Sequence, residues 1–233
     1  YKNRSDEFHG ISIAGPNSRK VLEKIVRESV SNEKFKFRDS RRMFVGGVPA
    51  IINRISFTGE LGYEIYVAPH YQLKLFEEIM EAGKEFDIKP FGGRALMSMR
   101  LEKNWGAWTL DYRPDFTAKE TGLDAFINWN KDFIGKDFAQ KDESKNKLVP
   151  LIVETNDIDV TYNEAVLKGD KSIGYITSGG FAHFVNKSVA FSYIDQNKIK
   201  SDKGIQVEIN GDFFNCSIIK EPLYDPTGQK MRS

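Results

Sequence analysis

The stretch RISFTGELGYEIYVAP, Arg54–Pro69, decides how the first half of this chain is interpreted. Apolar and polar side chains alternate from Ile55 to Thr58 and again from Tyr63 to Ala68. A period of two residues is typical of β-strands, because successive side chains point to opposite faces of a sheet. Gly59 and Gly62 permit a tight reversal between the two segments. The stretch therefore predicts two strands that are joined by a turn and close on a pocket.

Glu64 is an ionisable residue inside this strand pattern. If its face of the sheet is buried, the carboxylate needs hydrogen-bond donors, either from the protein or from a ligand. Glu64 is therefore a candidate binding residue.

Composition and charge argue against several classes of protein. The 233 residues suffice for one or two domains with a sizeable core. Lys plus Arg total 34 and Asp plus Glu total 33, which favours neither nucleic acid nor a membrane as partner. Three histidines and one cysteine, without metal-ligand spacing, argue against a metal site. The lone cysteine fits a reducing compartment, and no apolar run approaches the roughly 20 residues of a membrane helix. We therefore expect a cytoplasmic protein, and the start without methionine indicates a piece of a longer one.

The region before residue 135 has the pattern of an α+β sandwich. A strand at Gly10–Ala14 precedes a helix that runs to about Ser29. Two paired strands and two further helices follow, at Phe44–Pro49, Ala50–Phe57, Tyr71–Phe86 and about Arg94–Lys103. The apolar face of the helix at Tyr71–Phe86 is expected to comprise Leu73, Phe76, Ile79 and Met80. Helices that cover one face of such a sheet leave its other face for a partner.

The segment from Asn104 to Ile134 is rich in aromatic residues, among them Trp108. Such rings could line a pocket for a flat ligand or belong to the domain core. Just before them, Arg100 and Glu102 lie on the third helix, where a structural ion pair is expected rather than a catalytic one.

From residue 148 onward the periodicity is almost entirely that of short strands. Asn210-Gly211 between two of them is a strong hairpin signal, and the spacing predicts a small antiparallel barrel or sandwich. The preceding mixed-charge stretch is a plausible linker. We therefore divide the chain into an α+β region at 1–134, a linker at 135–147 and a β-barrel domain at 148–233.

With these segments located, the chain resembles the glycine-cleavage T-protein (aminomethyltransferase) family, and especially the C-terminal folate-binding region of dimethylglycine and sarcosine dehydrogenases. The resemblance rests on seven segments that occur in the family order and cover nearly the whole chain: Ala14–Arg19, Ser56–Glu64, Met99–Lys103 with Ala107-Trp108, Glu120–Leu123, Phe133–Lys136, Thr177–Gly180 and Glu221–Leu223.

The resemblance implies a T-protein-like folate-binding fold, with a ferredoxin-like α/β sandwich portion followed by the small antiparallel β-barrel. It implies that tetrahydrofolate accepts a one-carbon unit from an aminomethyl or iminium donor of the dimethylglycine or sarcosine type, giving 5,10-methylenetetrahydrofolate. The folate-binding residues would be Glu64, Tyr66, Phe57, Ile65 and Trp108. The pyrimidine edge of a pterin offers adjacent N–H donors, and an ionised carboxylate such as that of Glu64 is acceptor-only.

Three departures from the family pattern limit this expectation. The chain begins after the family segment that carries an aspartate placed near the folate nitrogens, so no catalytic residue is assigned. Phe57 stands where close relatives have a tyrosine. Leu96 and Ala125 stand where relatives have a folate-contacting arginine and an aromatic residue, respectively.

Four functions remain open, one of which is a folate-dependent S-demethylase on the same fold. The chain could be the folate-binding part of a dimethylglycine or sarcosine dehydrogenase, whose flavin domain or subunit would be its partner. It could instead be a stand-alone T-protein that works with a lipoyl carrier protein. The third alternative is a folate-binding module without catalysis. No Gly-x-Gly-x-x-Gly motif opens a βαβ unit in this sequence, so no flavin site is visible.

Overall fold

The computed structural model of the protein describes residues 2–155, 157–199 and 203–233. The chain divides into two compact units. The first comprises the chain up to Leu96 together with Asp225–Ser233, and the second comprises Met97–Tyr224. The division at 134 and the linker at 135–147 stay a prediction.

The first unit is a four-stranded antiparallel sheet with helices. Its elements are β1 (His9–Ala14), α1 (Ser18–Ile25), β2 (Ser40–Val45), β3 (Val48–Asn53), β4 (Gly62–Val67) and α2 (Gln72–Gly83). Short 3₁₀ turns at Pro69–Tyr71 and Lys84–Phe86 flank α2. The strand order is β1-β4-β3-β2, so β4 is a central strand although it is the last of the four in the chain.

The alternation along β4 separates the two faces of this sheet. Tyr63 and Ile65 are fully buried and Val67 is almost so, and they belong to the same apolar core as Leu22 of α1 and Leu75 of α2. Glu64 and Tyr66 point the other way and are half-buried. Within this unit, the helices α1 and α2 therefore pack on the Ile65 side of the sheet, and we call the opposite side the Glu64 face.

The strand predicted from Ala50 to Phe57 is wrong in its second half. β3 ends at Asn53, and residues 54–61 form a loop that leads into β4. Within this loop the hydroxyl of Ser56 accepts a hydrogen bond from the backbone N–H of Gly59 at 3.0 Å, and Gly59 has a φ of +87°. Local bonds of this kind compete with a sheet ladder, which is why the alternation of apolar residues did not produce a strand here.

The two helices of the first unit also differ from the prediction. α1 ends at Ile25 rather than near Ser29, because Val26 has extended dihedrals. In α2 the buried stripe contains Leu75, Ile79 and Ala82, whereas Leu73 is 68% exposed and Phe76 is 44% exposed. The apolar side chains of α2 itself occupy more than one side of the helix, so helical spacing alone does not reveal which side packs on the sheet.

The second unit contains most of α3 (Gly93–Glu102), whose first residues belong to the first unit, and then the short helices α4 (Ala118–Thr121) and α5 (Lys136–Gln140). The strands that follow are β5 (Asn146–Val153), β6 (Ala165–Lys168), β7 (Lys171–Ala182), β8 (Lys187–Asp195), β9 (Ile205–Ile209) and β10 (Asp212–Ile218). The short helix α6 (Gln229–Arg232) returns to the first unit.

These six strands close into an antiparallel barrel in the order β10-β5-β8-β7-β6-β9. Its interior is filled by branched aliphatic side chains such as Leu151, Ile176 and Val207, all with 0% exposure. The Asn210-Gly211 turn joins β9 to β10 with positive φ angles at both residues, as a tight hairpin requires. The predicted α+β fold with a C-terminal antiparallel β-barrel is therefore confirmed.

Candidate functional site

The Glu64 face of the first unit brings an ionisable group and an aromatic ring together. The hydroxyl of Tyr66 donates a hydrogen bond of 2.6 Å to Oε2 of Glu64. This bond, with partial burial as a second cause, raises the pKa of Tyr66 to about 12. An ionised carboxylate has about four acceptor positions. The tyrosine thus fixes the orientation of the carboxylate while most of its acceptor capacity remains.

Gly10 explains how the Tyr66 ring lies on the sheet. The two residues face each other across the β1–β4 pair. A Cβ atom added to Gly10 would lie 3.1 Å from Cε1 of Tyr66, closer than most real Cβ contacts. The missing side chain at position 10 therefore lets the aromatic ring lie against the backbone of β1.

The strand register identifies the neighbours of Glu64. Ser12 of β1 lies directly opposite Glu64 on one side, and Asn53 of β3 lies directly opposite it on the other. Directly opposed residues share a face of the sheet, with Cβ atoms about 4.5–5.5 Å apart. Carboxylate, amide and hydroxyl groups thus form a polar row across three adjacent strands.

This row can recognise the hydrogen-bonding edge of a flat heterocycle. Glu64 supplies acceptors, whereas Ser12 and Asn53 can each donate or accept. Two residues away along the same strands, and therefore on the same face, Tyr66 and Ile51 lie directly opposite each other. They supply an aromatic ring and an aliphatic surface. Such a combination of a few convergent polar groups with apolar walls is typical of small-molecule sites.

Tyr66 and Ile51 also border a cavity of about 440 Å³. Phe44, which is 59% exposed, and the charged Arg42 line this cavity as well. The Glu64 face is therefore continuous with a concave surface rather than flat. A second cavity in this unit, of about 590 Å³, lies along β1 and includes Ser12, Phe91 and Leu96 in its lining.

The structure places the five residues that were expected to bind folate in different surroundings. Glu64 and Tyr66 are neighbours, but Ile65 is fully buried on the helix side of the sheet. A side-chain contact from Ile65 to a ligand on the Glu64 face is incompatible with this placement. Phe57 lies half-buried in the loop before β4, not on a facing strand. Trp108 belongs to the second unit, where it is 74% exposed and its ring meets that of Tyr112 edge-on at 5.4 Å.

Sequence reasoning missed Ser12 and Asn53 because the register was not known. The assumption that β3 continued to Phe57 left no way to align Asn53 with Glu64. The Gly46-Gly47 turn fixes only the register of β2 and β3, in which Ser40 lies opposite Asn53. β3 and β4 are connected by the longer loop at residues 54–61, so no local signal aligns Asn53 with Glu64.

A second polar cluster, also missed from the sequence, lies in the core of the second unit. Asp111 has 0% exposure, and its Oδ2 accepts bonds from Nη1 of Arg100 at 2.6 Å and from the backbone N–H of Ala107 at 2.8 Å. Its Oδ1 accepts bonds from the hydroxyls of Thr177 and Ser178. Arg100 thus makes the expected structural ion pair, but Asp111 is its partner, while Glu102 accepts a 2.6 Å bond from the backbone N–H of Phe184.

The Asp111 cluster holds the second unit together. It connects α3, the loop after it and β7, and the Tyr193 hydroxyl on β8 donates to the backbone oxygen of Asp111 at 2.7 Å. A carboxylate with this many donors is saturated. We therefore assign it to structure and not to ligand binding.

Among the residues that the structure describes, no cluster of His, Cys, Asp and Glu could hold a metal ion. In the same part of the chain, no helix has both the length and the apolar character needed to cross a membrane.

Comparison with known families matches both regions of the chain. The family model described as the GCVT N-terminal domain matches residues 1–131. The model described as the glycine cleavage T-protein C-terminal barrel domain matches residues 146–225.

Curated relatives fall into two groups. Human mitochondrial dimethylglycine dehydrogenase is 37% identical over 238 residues, which cover 99% of this chain and 28% of that protein. The aminomethyltransferase of Caldanaerobacter subterraneus subsp. tengcongensis is 31% identical over 233 residues, covering 98% of this chain and 62% of that protein. The chain thus spans less than two thirds of the length of these relatives.

A solved structure shows the same fold. The glycine cleavage system aminomethyltransferase T from Bartonella henselae superposes with a TM-score of 0.81 at 21% identity, over 94% of this chain and 60% of that one.

Proposed function

Because this chain belongs to the glycine cleavage T-protein (aminomethyltransferase) family, whose members are folate-dependent, we propose that its Glu64 face binds tetrahydrofolate. The observation that carries the proposal is the Glu64–Tyr66 pair, a carboxylate that is held at 2.6 Å by a tyrosine hydroxyl on a half-buried face. A pterin presents two adjacent N–H donors on its pyrimidine edge, and these match the two oxygens of a carboxylate.

The residues of this chain have distinct tasks in the proposed complex. Glu64 accepts hydrogen bonds from the pterin, and Tyr66 limits the rotation of that carboxylate. The Tyr66 ring and Ile51 offer apolar surface to the flat ring system and keep water away from the hydrogen bonds between Glu64 and the pterin, which strengthens these bonds. Bound tetrahydrofolate would supply the nitrogen atoms that accept the one-carbon unit to give 5,10-methylenetetrahydrofolate.

The donor that we propose is an iminium derived from dimethylglycine or sarcosine. In its support, the dimethylglycine dehydrogenase relative is 37% identical, whereas the aminomethyltransferase relative is 31% identical over a similar span. On this proposal the chain is the folate-binding part of a larger enzyme, and a flavin domain or subunit is its partner. Holding donor and acceptor together replaces a bimolecular encounter.

Titration calorimetry with tetrahydrofolate under anaerobic conditions tests the binding site. Glu64→Gln and Glu64→Ala should each weaken binding by about 1.5–3 kcal/mol, the usual value of a hydrogen bond to a charged group. The matched control is Glu77→Ala, because Glu77 is an exposed glutamate on α2 of the same unit. Affinity that Glu64→Gln and Glu64→Ala leave unchanged would remove Glu64 from the site.

Two parallel transfer assays test the donor. One supplies the iminium made by a flavin-dependent dimethylglycine-oxidising enzyme, and the other supplies an aminomethylated lipoyl carrier protein. Both measure 5,10-methylenetetrahydrofolate. Product in the first assay alone supports the proposal, whereas product in the second alone identifies a glycine-cleavage donor. Tight folate binding without product in either assay indicates a module that binds folate without catalysis.

A further inference from the structure

We infer that Asn53 is a specificity-determining residue that donates its amide N–H to the 4-oxo group of the pterin while Glu64 accepts from the neighbouring ring nitrogen. This inference rests on the proposed function and extends it to a residue that was not among the five expected to bind folate. It starts from the register of the first unit, in which Asn53 of β3 lies directly opposite Glu64 of β4.

The chemistry of the pterin edge requires a donor beside Glu64. The 2-amino group and the ring N3–H donate to the two carboxylate oxygens, and the 4-oxo oxygen is the next atom along that edge. This oxygen lies next to one end of the carboxylate and would be left without a partner if only acceptors surrounded it. An unpaired buried carbonyl costs binding energy, so a site for this ring needs a donor at this position.

Two residues could supply this donor, Asn53 and Ser12, because both lie directly opposite Glu64. Ser12 is exposed on β1, an edge strand, whereas Asn53 is half-buried on β3, between two other strands. A hydrogen bond is stronger where water competes less. The amide of Asn53 also offers two N–H groups, so it can donate to the ligand and still make a second bond.

Calorimetry with two ligands tests this inference: tetrahydrofolate, and its 4-amino analogue, in which a donor replaces the 4-oxo acceptor and ring N3 carries no hydrogen. Because the change at N3 affects wild type and variants alike, the measurement is the change in the ratio of the two dissociation constants. Asn53→Ala should weaken tetrahydrofolate binding about fivefold, the usual effect of one neutral hydrogen bond. Asn53→Asp replaces the amide by an acceptor-only group. The ratio of the two dissociation constants should therefore shift by at least about tenfold toward the 4-amino analogue in Asn53→Asp.

The control is Ser40→Ala. Ser40 lies opposite Asn53 on the outer strand β2, two strands from Glu64 and hence roughly 9–10 Å away, and its variant should bind both ligands as wild type does. Circular dichroism checks that each variant retains the sheet.

The outcomes separate this inference from the function on which it rests. If Glu64→Gln weakens binding while both Asn53 variants keep the affinity and the ligand ratio of wild type, only the role of Asn53 is overturned. If wild type binds neither ligand, or if Glu64→Gln has no effect, the proposed function fails and the role of Asn53 fails with it. A changed ligand ratio in Asn53→Asp supports both.

Discussion

Removing the charge of Asp111 should destabilise the second unit strongly. Arg100 and Asp111 are 1% and 0% exposed, respectively, and 2.6 Å separates the paired atoms. Asp111→Asn keeps the shape and one acceptor oxygen, but it leaves the guanidinium without a counter-charge in the core. Breaking a buried ion pair by removing one partner costs about 3–5 kcal/mol. For a protein of this size, that loss lowers the midpoint of thermal unfolding by roughly 10–15 °C.

Tryptophan fluorescence reports on this unit directly. The three tryptophans of the chain, Trp105, Trp108 and Trp129, all lie in Met97–Tyr224. Urea titration monitored by tryptophan emission therefore measures the free energy of unfolding of the second unit. The first unit contributes no tryptophan signal to this measurement.

Two further variants make the measurement decisive. Asp115→Asn is the matched control, because the Asp115 side chain is 66% exposed and is paired with Arg113 at 3.4 Å, so its midpoint should stay close to that of wild type. Arg100→Met combined with Asp111→Asn should recover part of the loss, because the unpaired charge is gone. A loss below about 1 kcal/mol for Asp111→Asn, or two strictly additive substitutions, would refute the reasoning.

Two other predictions follow from local contacts. The hydrogen bond to the Glu64 carboxylate is the largest cause of the raised pKa of Tyr66, so Glu64→Gln should lower that pKa from about 12 toward the ordinary value of 10.0. Carbon-13 NMR of labelled tyrosine measures this pKa, and an unchanged value would contradict the hydrogen bond. Because the folded-state pKa is the higher one, this contact stabilises the first unit fully below about pH 10 and loses its effect as pH rises through about 12. In the barrel, a Cβ at position 179 would lie 2.4 Å from the backbone oxygen of Val160, whereas one at position 180 would meet only Leu101 at 3.5 Å. Gly179→Ala should therefore lower the free energy of unfolding, measured by urea titration, by more than about 1 kcal/mol, whereas Gly180→Ala should change it by no more than about 0.5 kcal/mol. Equal effects of the two substitutions would contradict the close approach.

Secondary structure was predictable in the barrel because its signals are local. The short strands after residue 148 depend on side-chain alternation and the Asn210-Gly211 turn depends on residues that tolerate positive φ, and both occur as expected. The end of β3 was not predictable in the same way. Ile55 and Phe57 continue the alternation, but hydrogen bonds within the loop ended the strand at Asn53.

Part of the candidate site was also accessible from the sequence. Because side chains alternate along a strand, Glu64 and Tyr66 had to share a face, and the same rule would have placed Ile65 on the opposite one. The hydrogen bond between the Tyr66 hydroxyl and Glu64 could be identified only from the structure, because it depends on the orientation of the Tyr66 ring against Gly10. The side chains that donate to the Asp111 carboxylate are 11 to 67 residues away from it along the chain, so no short sequence window contains all of them.

The sequence by itself determined most kinds of elements, the antiparallel β character of the C-terminal domain and the family of this protein, because these depend on periodicity, turn residues and ordered motifs. Only the tertiary structure decided which strands flank Glu64. β4 lies between β1 and β3, and that order places Ser12 and Asn53 beside the carboxylate. The physical reason is that the strand order and register are fixed by burial of one face of the whole sheet against α1 and α2, which involves residues distant in the sequence.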